Sequence, residues 1–286
     1  LEKISIKAPA KINLYLLVLA KRSDGFHEIE SLMQAIDVYD DIKLEKSDSI
    51  ELQCNDPSVP QGESNLAFRA AAALQDRFSF AGVKINLVKN IPVGSGLGGG
   101  SSDAAFVIQG LCKLYDLHPT FEQLSEIAAS LGSDVPFFLT TGQALAKGRG
   151  EILEPLSLPL EYEIAIASPK LSISTAEIYR QVKINLTYGE IGPLIRGGID
   201  FSGFIRSTAN FRNDLEEVVL AKYPELSELK RSLLGSGAFY SSMTGSGSSF
   251  FALYNPGVEK RKMLESLSER GIRVIWCRPI MLTPLI

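Results

Sequence analysis

Residues 92–105 read Pro92-Val93-Gly94-Ser95-Gly96-Leu97-Gly98-Gly99-Gly100-Ser101-Ser102-Asp103-Ala104-Ala105, five glycines leading into apolar residues at Val107, Ile108, Leu111, Leu114 and Tyr115. The apolar spacing predicts a helix that starts at Ser101 or Ser102, directly after the glycines. Glycine at this density leaves no side chain in the path of an anion and tolerates positive φ, so backbone N–H groups can converge on it. The helix end adds unpaired donors and a partial positive charge. Together they suit a di- or triphosphate, with Ser101 or Ser102 supplying a hydroxyl donor or an oxygen facing Mg²⁺.

Rival glycine patterns fit less well. Gly94, Gly96 and Gly99 satisfy the bare dinucleotide spacing, but Pro92 separates them from the strand read at Val83, Ile85 and Leu87, where a Rossmann turn follows its strand directly. A Walker loop needs Lys and then Ser or Thr after its last glycine, whereas Ser101 follows Gly100. A protein-kinase loop needs a downstream His-Arg-Asp, yet His27 and His118 precede Glu28 and Pro119. A flexible linker is not bracketed by a strand and a helix.

Toward the N-terminus, Ile4 and Ile6 alternate with polar residues, and Leu14, Leu16 and Val18 resume the alternation after Ala8-Pro9-Ala10. That predicts two strands around a bend, with Lys11 and Asn13 at the start of the second. Ser64 or Asn65 caps a helix over 66–78. Toward the C-terminus, Thr120 with Gln123 is a capping-box pattern for a helix that Gly132 ends, leaving Ser133-Asp134-Val135-Pro136 as a turn. The pattern breaks between Pro155 and Pro159, and a boundary there divides the chain into domains of residues 1–157 and 158–286. The second part reads as a strand at 164–167, a capping box at Ser174 and Glu177, and helices over 213–221 and 224–234. Strands near Phe239 and Phe250, a helix between Asn255-Pro256 and Gly271, and a strand at 272–277 complete it. The class is α+β with antiparallel sheet.

A chain of 286 residues has room for two cores. Its 29 Lys and Arg against 33 Asp and Glu leave a formal charge of −4, which gives no global attraction to nucleic acid or to an anionic membrane. An anionic substrate must therefore meet a local device. Cys54, Cys112 and Cys277 are odd in number, far apart and without metal-ligand spacing, which points to a reducing cytoplasm. No run approaches the roughly 18 apolar residues of a membrane span, and the N-terminus lacks the apolar core of a signal peptide. The sequence leaves oligomeric state open.

The run from Pro92 to Ala105 resembles the phosphate-binding signature of the GHMP kinases, the superfamily of galactokinase, homoserine kinase, mevalonate kinase and phosphomevalonate kinase. Lys7-Ala8-Pro9-Ala10-Lys11-Ile12-Asn13-Leu14 resembles its N-terminal motif, and Met243-Thr244-Gly245-Ser246-Gly247-Ser248-Ser249 its glycine-rich C-terminal motif. Asp24-Gly25-Phe26-His27-Glu28, Gly132-Ser133-Asp134-Val135-Pro136-Phe137-Phe138 and Asn213-Asp214-Leu215-Glu216 are similar to segments of the branch whose substrate is 4-diphosphocytidyl-2-C-methyl-D-erythritol. Ser23, Phe26 and Ser133 depart from the residues usual in that branch, and none removes a group the reaction needs.

The resemblance implies a two-domain α+β fold, with an N-terminal domain like domain 2 of ribosomal protein S5 and a ferredoxin-like C-terminal domain. It implies transfer of a phosphoryl group from ATP, with Mg²⁺, to the 2-hydroxyl of that small cytidine diphosphate-linked substrate, in the non-mevalonate route to isoprenoids. Asp134 would be the general base and Lys11 the cation that lowers the hydroxyl's pKa. Phe26 and Tyr179 would sandwich the cytosine, His27 would face it, and Asn13, Thr175 and Asp134 would contact the substrate. Asn65, Leu66 and Lys89 would lie near adenine, and Pro92, Gly94, Gly96, Leu97, Gly98, Gly99, Gly100, Ser101 and Ser102 would surround the phosphates. No residues are assigned as metal ligands. Two other readings stay open: another GHMP kinase, of the homoserine or mevalonate type, and a catalytically silent nucleotide- or sugar-binding relative.

Overall fold

The alternation that begins at Ile4 continues through Pro9, so the first element is one strand, β1 (Lys3–Lys21), rather than two. Its hairpin partner is β2 (His27–Ser47), and the register between them shifts at Pro9/Ala10, Asn13/Tyr15 and Val18/Ala20. A bulge absorbs the proline that looked like a bend, because a residue without an N–H is tolerated where pairing is already interrupted. Lys11 and Asn13 lie between two of these irregularities, in mid-strand.

The computed structural model describes residues 1–184, 192–195, 198–257 and 266–283. In chain order β3 (Glu51–Cys54), α1 (Leu66–Phe78), β4 (Gly82–Val88), α2 (Gly99–Tyr115), α3 (Phe121–Leu131), β5 (Gln143–Lys147) and β6 (Ile152–Pro155) follow. The first sheet has the order β3-β4-β2-β5-β6, with β1 on the other edge of β2. All its pairs are antiparallel except β3 with β4. Asn65 caps α1 through its side chain to the Ala67 N–H, and the Thr120–Gln123 capping box of α3 is complete. Helices α1 to α3 cover one sheet face: Ala67, Ala71 and Leu74 meet Ala104, Ala105 and Ile108, with Leu44 and Ile85 beneath. The alanines let helix axes approach closely, and each buried Leu or Ile contributes about 1.5–3 kcal/mol over leaving it exposed.

The second sheet comprises β7 (Glu163–Ser168), β8 (Tyr240–Met243), β9 (Phe250–Tyr254) and β10 (Arg273–Cys277) in the antiparallel order β10-β7-β9-β8. Around it lie α4 (Thr175–Gln181), α5 (Gly192–Ile195), α6 (Phe201–Ser207), α7 (Asp214–Lys222) and α8 (Glu225–Gly235). Ser174 caps α4 but only half of the expected box is made, the Glu177 N–H donating to the Ser174 hydroxyl. The helix expected between Asn255-Pro256 and Gly271 lies mostly outside the described residues. A shared core joins the sheets: Ile12, Leu14, Tyr15 and Leu17 of β1 pack with Ile164 and Ile166 of β7 and Phe251 and Leu253 of β9. Strand β1 is thus fixed from both sides. Among the described residues no helix is long and apolar enough to cross a membrane.

Candidate active site

Helix α2 starts at Gly99, two or three residues earlier than its apolar spacing predicts, and its N-cap is Gly98 in the left-handed region with φ +71°. No side chain caps it. A 17-residue helix therefore presents its first N–H groups and its positive dipole end to whatever lies before it. What lies before it is a cavity of about 530 Å³ walled by Pro92, Leu97, Gly99, Gly100, Asn65, Leu66 and Lys89. A larger cavity of about 760 Å³ adjoins, and the two share Gly94, Gly96, Gly98, Ser101 and Thr175.

The helix presents one of its two neighbouring serine hydroxyls to the cavities. Ser101 faces both cavities, whereas Ser102 is fully buried, lines neither, and its hydroxyl has no hydrogen-bond partner. Among the glycines, Gly94, Gly96 and Gly98 take positive φ and Gly99 does not.

The larger cavity gathers Lys11, Asn13, Phe26, His27, Asp134, Thr175 and Tyr179. Lys11 Nζ lies 3.2 Å from Asp134 Oδ2 and donates to Asn13 Oδ1 at 2.6 Å. The Lys11 side chain is 3% exposed and that of Asp134 33%, so a desolvated cation holds a carboxylate that still reaches the cavity. Asn13 is oriented in turn, its Nδ2 donating to Ser31 Oγ at 2.8 Å and its backbone N–H to Thr244 Oγ1 at 3.1 Å. The Lys11 N–H donates to Leu97 O at 2.9 Å, which ties β1 to the glycine-rich turn. Asp134 sits on the turn between α3 and the 3₁₀ helix Pro136–Leu139, after Gly132, whose extended φ of 173° any residue could adopt.

At the far end His27 and Tyr179 pack with ring centroids 5.2 Å apart, and the Arg149 guanidinium lies 4.7 Å above the Phe26 ring. Phe26 is 52% exposed, an apolar ring facing open space. Burial, and then the Lys21 charge, hold the His27 imidazole below the usual histidine range. Burial raises the Tyr179 phenol, with Asp134 acting in the same direction. The Thr175 and Ser246 hydroxyls are 2.7 Å apart.

Arg149 and Arg180 also line this cavity and were not among the residues selected from sequence, and Gly245-Ser246-Gly247 of the C-terminal motif, given no individual role there, lines it too. A cation between two glycines, as in Gly148-Arg149-Gly150, was the available signal for the first. The second glycine-rich turn comes against the first: Thr244 Oγ1 donates to Gly96 O at 3.1 Å and the Ser249 N–H to Ser95 O at 3.1 Å.

On the smaller cavity's wall, Lys89 is nearly buried between Asp40 and Asp103, with Nζ 2.6 Å from Asp103 Oδ2. Asn65 uses Oδ1 on the Ala67 N–H and Nδ2 on Pro60 O, so its amide serves the helix cap. Asp40 also accepts from the Asn90 and Ile91 N–H groups at 2.6 and 2.8 Å, while Asp103 Oδ1 is buried without a partner. One cation thus faces two carboxylates, of which Asp40 is the better solvated by hydrogen bonds. Burial pushes Asp103 up to about 7; Lys89 opposes this and Asp40 adds to it. The folded chain keeps a proton that the unfolded chain releases near the ordinary value of 3.8, so Asp103 makes stability fall as pH rises from about 4 to about 7. In urea unfolding across that range, stability should fall less, or rise more, with pH for Asp103→Asn than for the wild type; an identical slope would assign the dependence elsewhere.

The segments match models of known families: residues 65–142 the GHMP kinases N terminal domain, and residues 200–273 the GHMP kinases C terminal. The chain is 44% identical over 266 residues to a 4-diphosphocytidyl-2-C-methyl-D-erythritol kinase of Caldanaerobacter subterraneus subsp. tengcongensis, covering 90% of each. A crystal structure of a 4-(cytidine 5'-diphospho)-2C-methyl-D-erythritol kinase superposes with a TM-score of 0.79 at 34% identity, over 97% of this chain and 99% of that one. Homoserine kinase from Cytophaga hutchinsonii reaches a TM-score of 0.78 at 22% identity over 98% of this chain and 96% of that one, a likeness of fold alone.

Proposed function

The chain belongs to the GHMP kinase family, among its 4-diphosphocytidyl-2-C-methyl-D-erythritol kinases, and from that premise we propose that it transfers the γ-phosphoryl group of ATP to the 2-hydroxyl of 4-diphosphocytidyl-2-C-methyl-D-erythritol, with Asp134 as general base and Lys11 as activating cation. The observation that carries the reading is the Lys11–Asp134 pair standing across from the uncapped end of α2, where the two cavities meet. A cytoplasmic place in non-mevalonate isoprenoid synthesis goes with it, supported by three unpaired thiols. The two domains on this reading are residues 1–157 and 158–286, divided in the stretch between β6 and β7.

The smaller cavity takes ATP. Backbone N–H groups of the turn 94–100 and of the start of α2 hold its phosphates, Ser101 adds a hydroxyl, and Asn65, Leu66 and Lys89 wall the side toward adenosine. Among the described residues no three His, Cys, Asp or Glu side chains group into a metal site. Ser101, which faces both cavities, would hold Mg²⁺ together with the phosphate oxygens, an ion that keeps most of its waters and binds chiefly through phosphate. When bound, Mg²⁺ neutralises phosphate charge.

In the larger cavity Asp134 takes the proton of the acceptor hydroxyl as its oxygen bonds to the γ-phosphorus. The bond to the β–γ bridging oxygen breaks, and ADP leaves with that electron pair. Such a transfer rests on positioning and on charge stabilisation. Lys11, desolvated and fixed by Asn13, stabilises developing oxygen charge more strongly than a solvated lysine would. At neutral pH a His27 held below the usual range is uncharged, with one donor and one acceptor for the base edge. Phe26 and Tyr179 supply stacking surface, and Asn13 and Thr175 supply polar contacts.

Turnover of cytidyl and uridyl acceptors, homoserine and mevalonate tests this reading. Cytosine and uracil exchange donor and acceptor, so the cytidyl substrate should be preferred by about tenfold or more. His27→Ala should erode that preference, whereas Tyr179→Ala should weaken both acceptors about equally because every base offers a π-face. Preferential phosphorylation of homoserine or mevalonate, or no cytosine preference, would overturn the assignment.

A further inference from the structure

The segment Asn213-Asp214-Leu215-Glu216 takes no part in the chemistry above and does not line the larger cavity. Its buried side chains nevertheless hold the second glycine-rich turn from behind. Asn213 Nδ2 donates to Met243 O at 2.8 Å and to Gly245 O at 2.7 Å, the carbonyls on either side of Thr244. Glu216 accepts from the Met243 N–H at 2.8 Å and the Ser242 hydroxyl at 3.0 Å, with Lys230 as its counter-ion. The same segment is tied to β1: the Leu16 N–H donates to Arg212 O at 2.9 Å and the Val18 N–H to Asp214 Oδ2 at 2.8 Å.

These bonds close a ring. From Asn213 it passes to the Met243 and Gly245 carbonyls, from Thr244 between them to Gly96 and Asn13, from Leu97 to Lys11, and along β1 back to residues 212–214. Gly245 and Gly247 have φ of +56° and +88°, and their backbone freedom would let the turn adopt other shapes if the ring were cut. We propose that Asn213 is a positioning residue that fixes Gly245-Ser246-Gly247 against the first glycine-rich turn and thereby sets where the acceptor lies relative to Lys11 and Asp134. Its consequence for the acceptor rests on the kinase reading above; the clamp itself does not.

Asn213 has two separable roles. Its Oδ1 caps α7 by accepting from the Leu215 N–H at 3.0 Å, and its Nδ2 holds the turn. Asn213→Ser keeps a capping oxygen and loses both turn contacts, and Asn213→Ala loses everything. For Asn213→Ser, kcat/KM for the cytidyl acceptor should fall about 10- to 100-fold, the scale of a small misplacement at a reacting centre, with ATP-analogue affinity changed less than about threefold. Hydrogen exchange at the amides of 244–249 should quicken while that of α7 stays as in the wild type. Asn213→Ala should match Asn213→Ser in turnover and melt at a lower temperature. If Asn213→Ser regains turnover together with melting temperature, the residue acts only as a helix cap and the proposal fails. It fails too if exchange at 244–249 is unchanged, or if Asn213→Ser does not fold. A wild type that leaves the cytidyl acceptor unphosphorylated would remove the kinase reading, and the exchange contrast would still decide the clamp.

Discussion

Asp134→Asn should lower kcat by about 10²- to 10⁴-fold, the range for losing a positioned base, while ATP affinity stays near the wild-type value. The amide keeps the shape of the carboxylate and its place on the turn after α3, but its oxygen cannot take up the acceptor proton. Lys11 loses its anionic partner and keeps its bond to Asn13 Oδ1, so the cation is not left without hydrogen bonds. Losing one partner of a buried pair costs stability, but Asp134 is a third exposed to the cavity, and water can replace part of what the carboxylate supplied. Calorimetric titration with an ATP analogue beside steady-state kinetics separates the outcomes. A folded variant with full turnover would remove Asp134 from the mechanism, and a loss of ATP affinity equal to the loss of turnover would make its role one of binding.

What could be read from sequence was local. Asn65, one of the two caps the sequence offers, and Thr120 with Gln123 each announce a helix end by chemistry that acts within a few residues, and each caps the helix it precedes. The seven residues assigned to catalysis and acceptor binding line one cavity, and all but Ser102 of those assigned to ATP line the other. Ser102 lines neither cavity because neighbouring helical residues differ by about 100° in direction, so that with Ser101 facing the cavities Ser102 turns into the interior. Strand β2 escaped notice because its first half is buried on both faces, with Glu30, Ser31 and Gln34 among Ile29, Leu32 and Met33, which erases the alternation of a half-buried strand. The Asp40–Lys89–Asp103 cluster joins positions up to 63 apart in sequence through pairing and packing that no local pattern encodes.

The contact between the two glycine-rich turns yields the second large effect. Gly96→Ala should reduce kcat/KM for both ATP and acceptor by about 10²-fold or more, and Gly94→Ala should cost much less. Both glycines have positive φ, +65° at Gly94 and +82° at Gly96, so an added methyl brings a similar backbone penalty of about 1–2 kcal/mol at each. What differs is the space. A Cβ at Gly94 would meet only the Ser172 hydroxyl at 3.7 Å, an ordinary contact. A Cβ at Gly96 would fall far inside van der Waals contact with the Thr244 carbonyl oxygen and 3.1 Å from Gly247 O, and these are backbone atoms that cannot rotate away. The second turn must then withdraw from the first, breaking the Thr244 hydroxyl bonds that hold Gly96 and Asn13 and loosening the support of Lys11. Because Gly96 itself lines both cavities, the defect should appear in nucleotide binding and in turnover together, unlike the Asp134→Asn defect, which spares nucleotide binding. Titration and kinetics on the two alanine variants, with melting temperatures as a control for folding, decide it: equal losses at Gly94 and Gly96 would attribute the effect to backbone strain alone and leave the apposition of the turns without a role in catalysis.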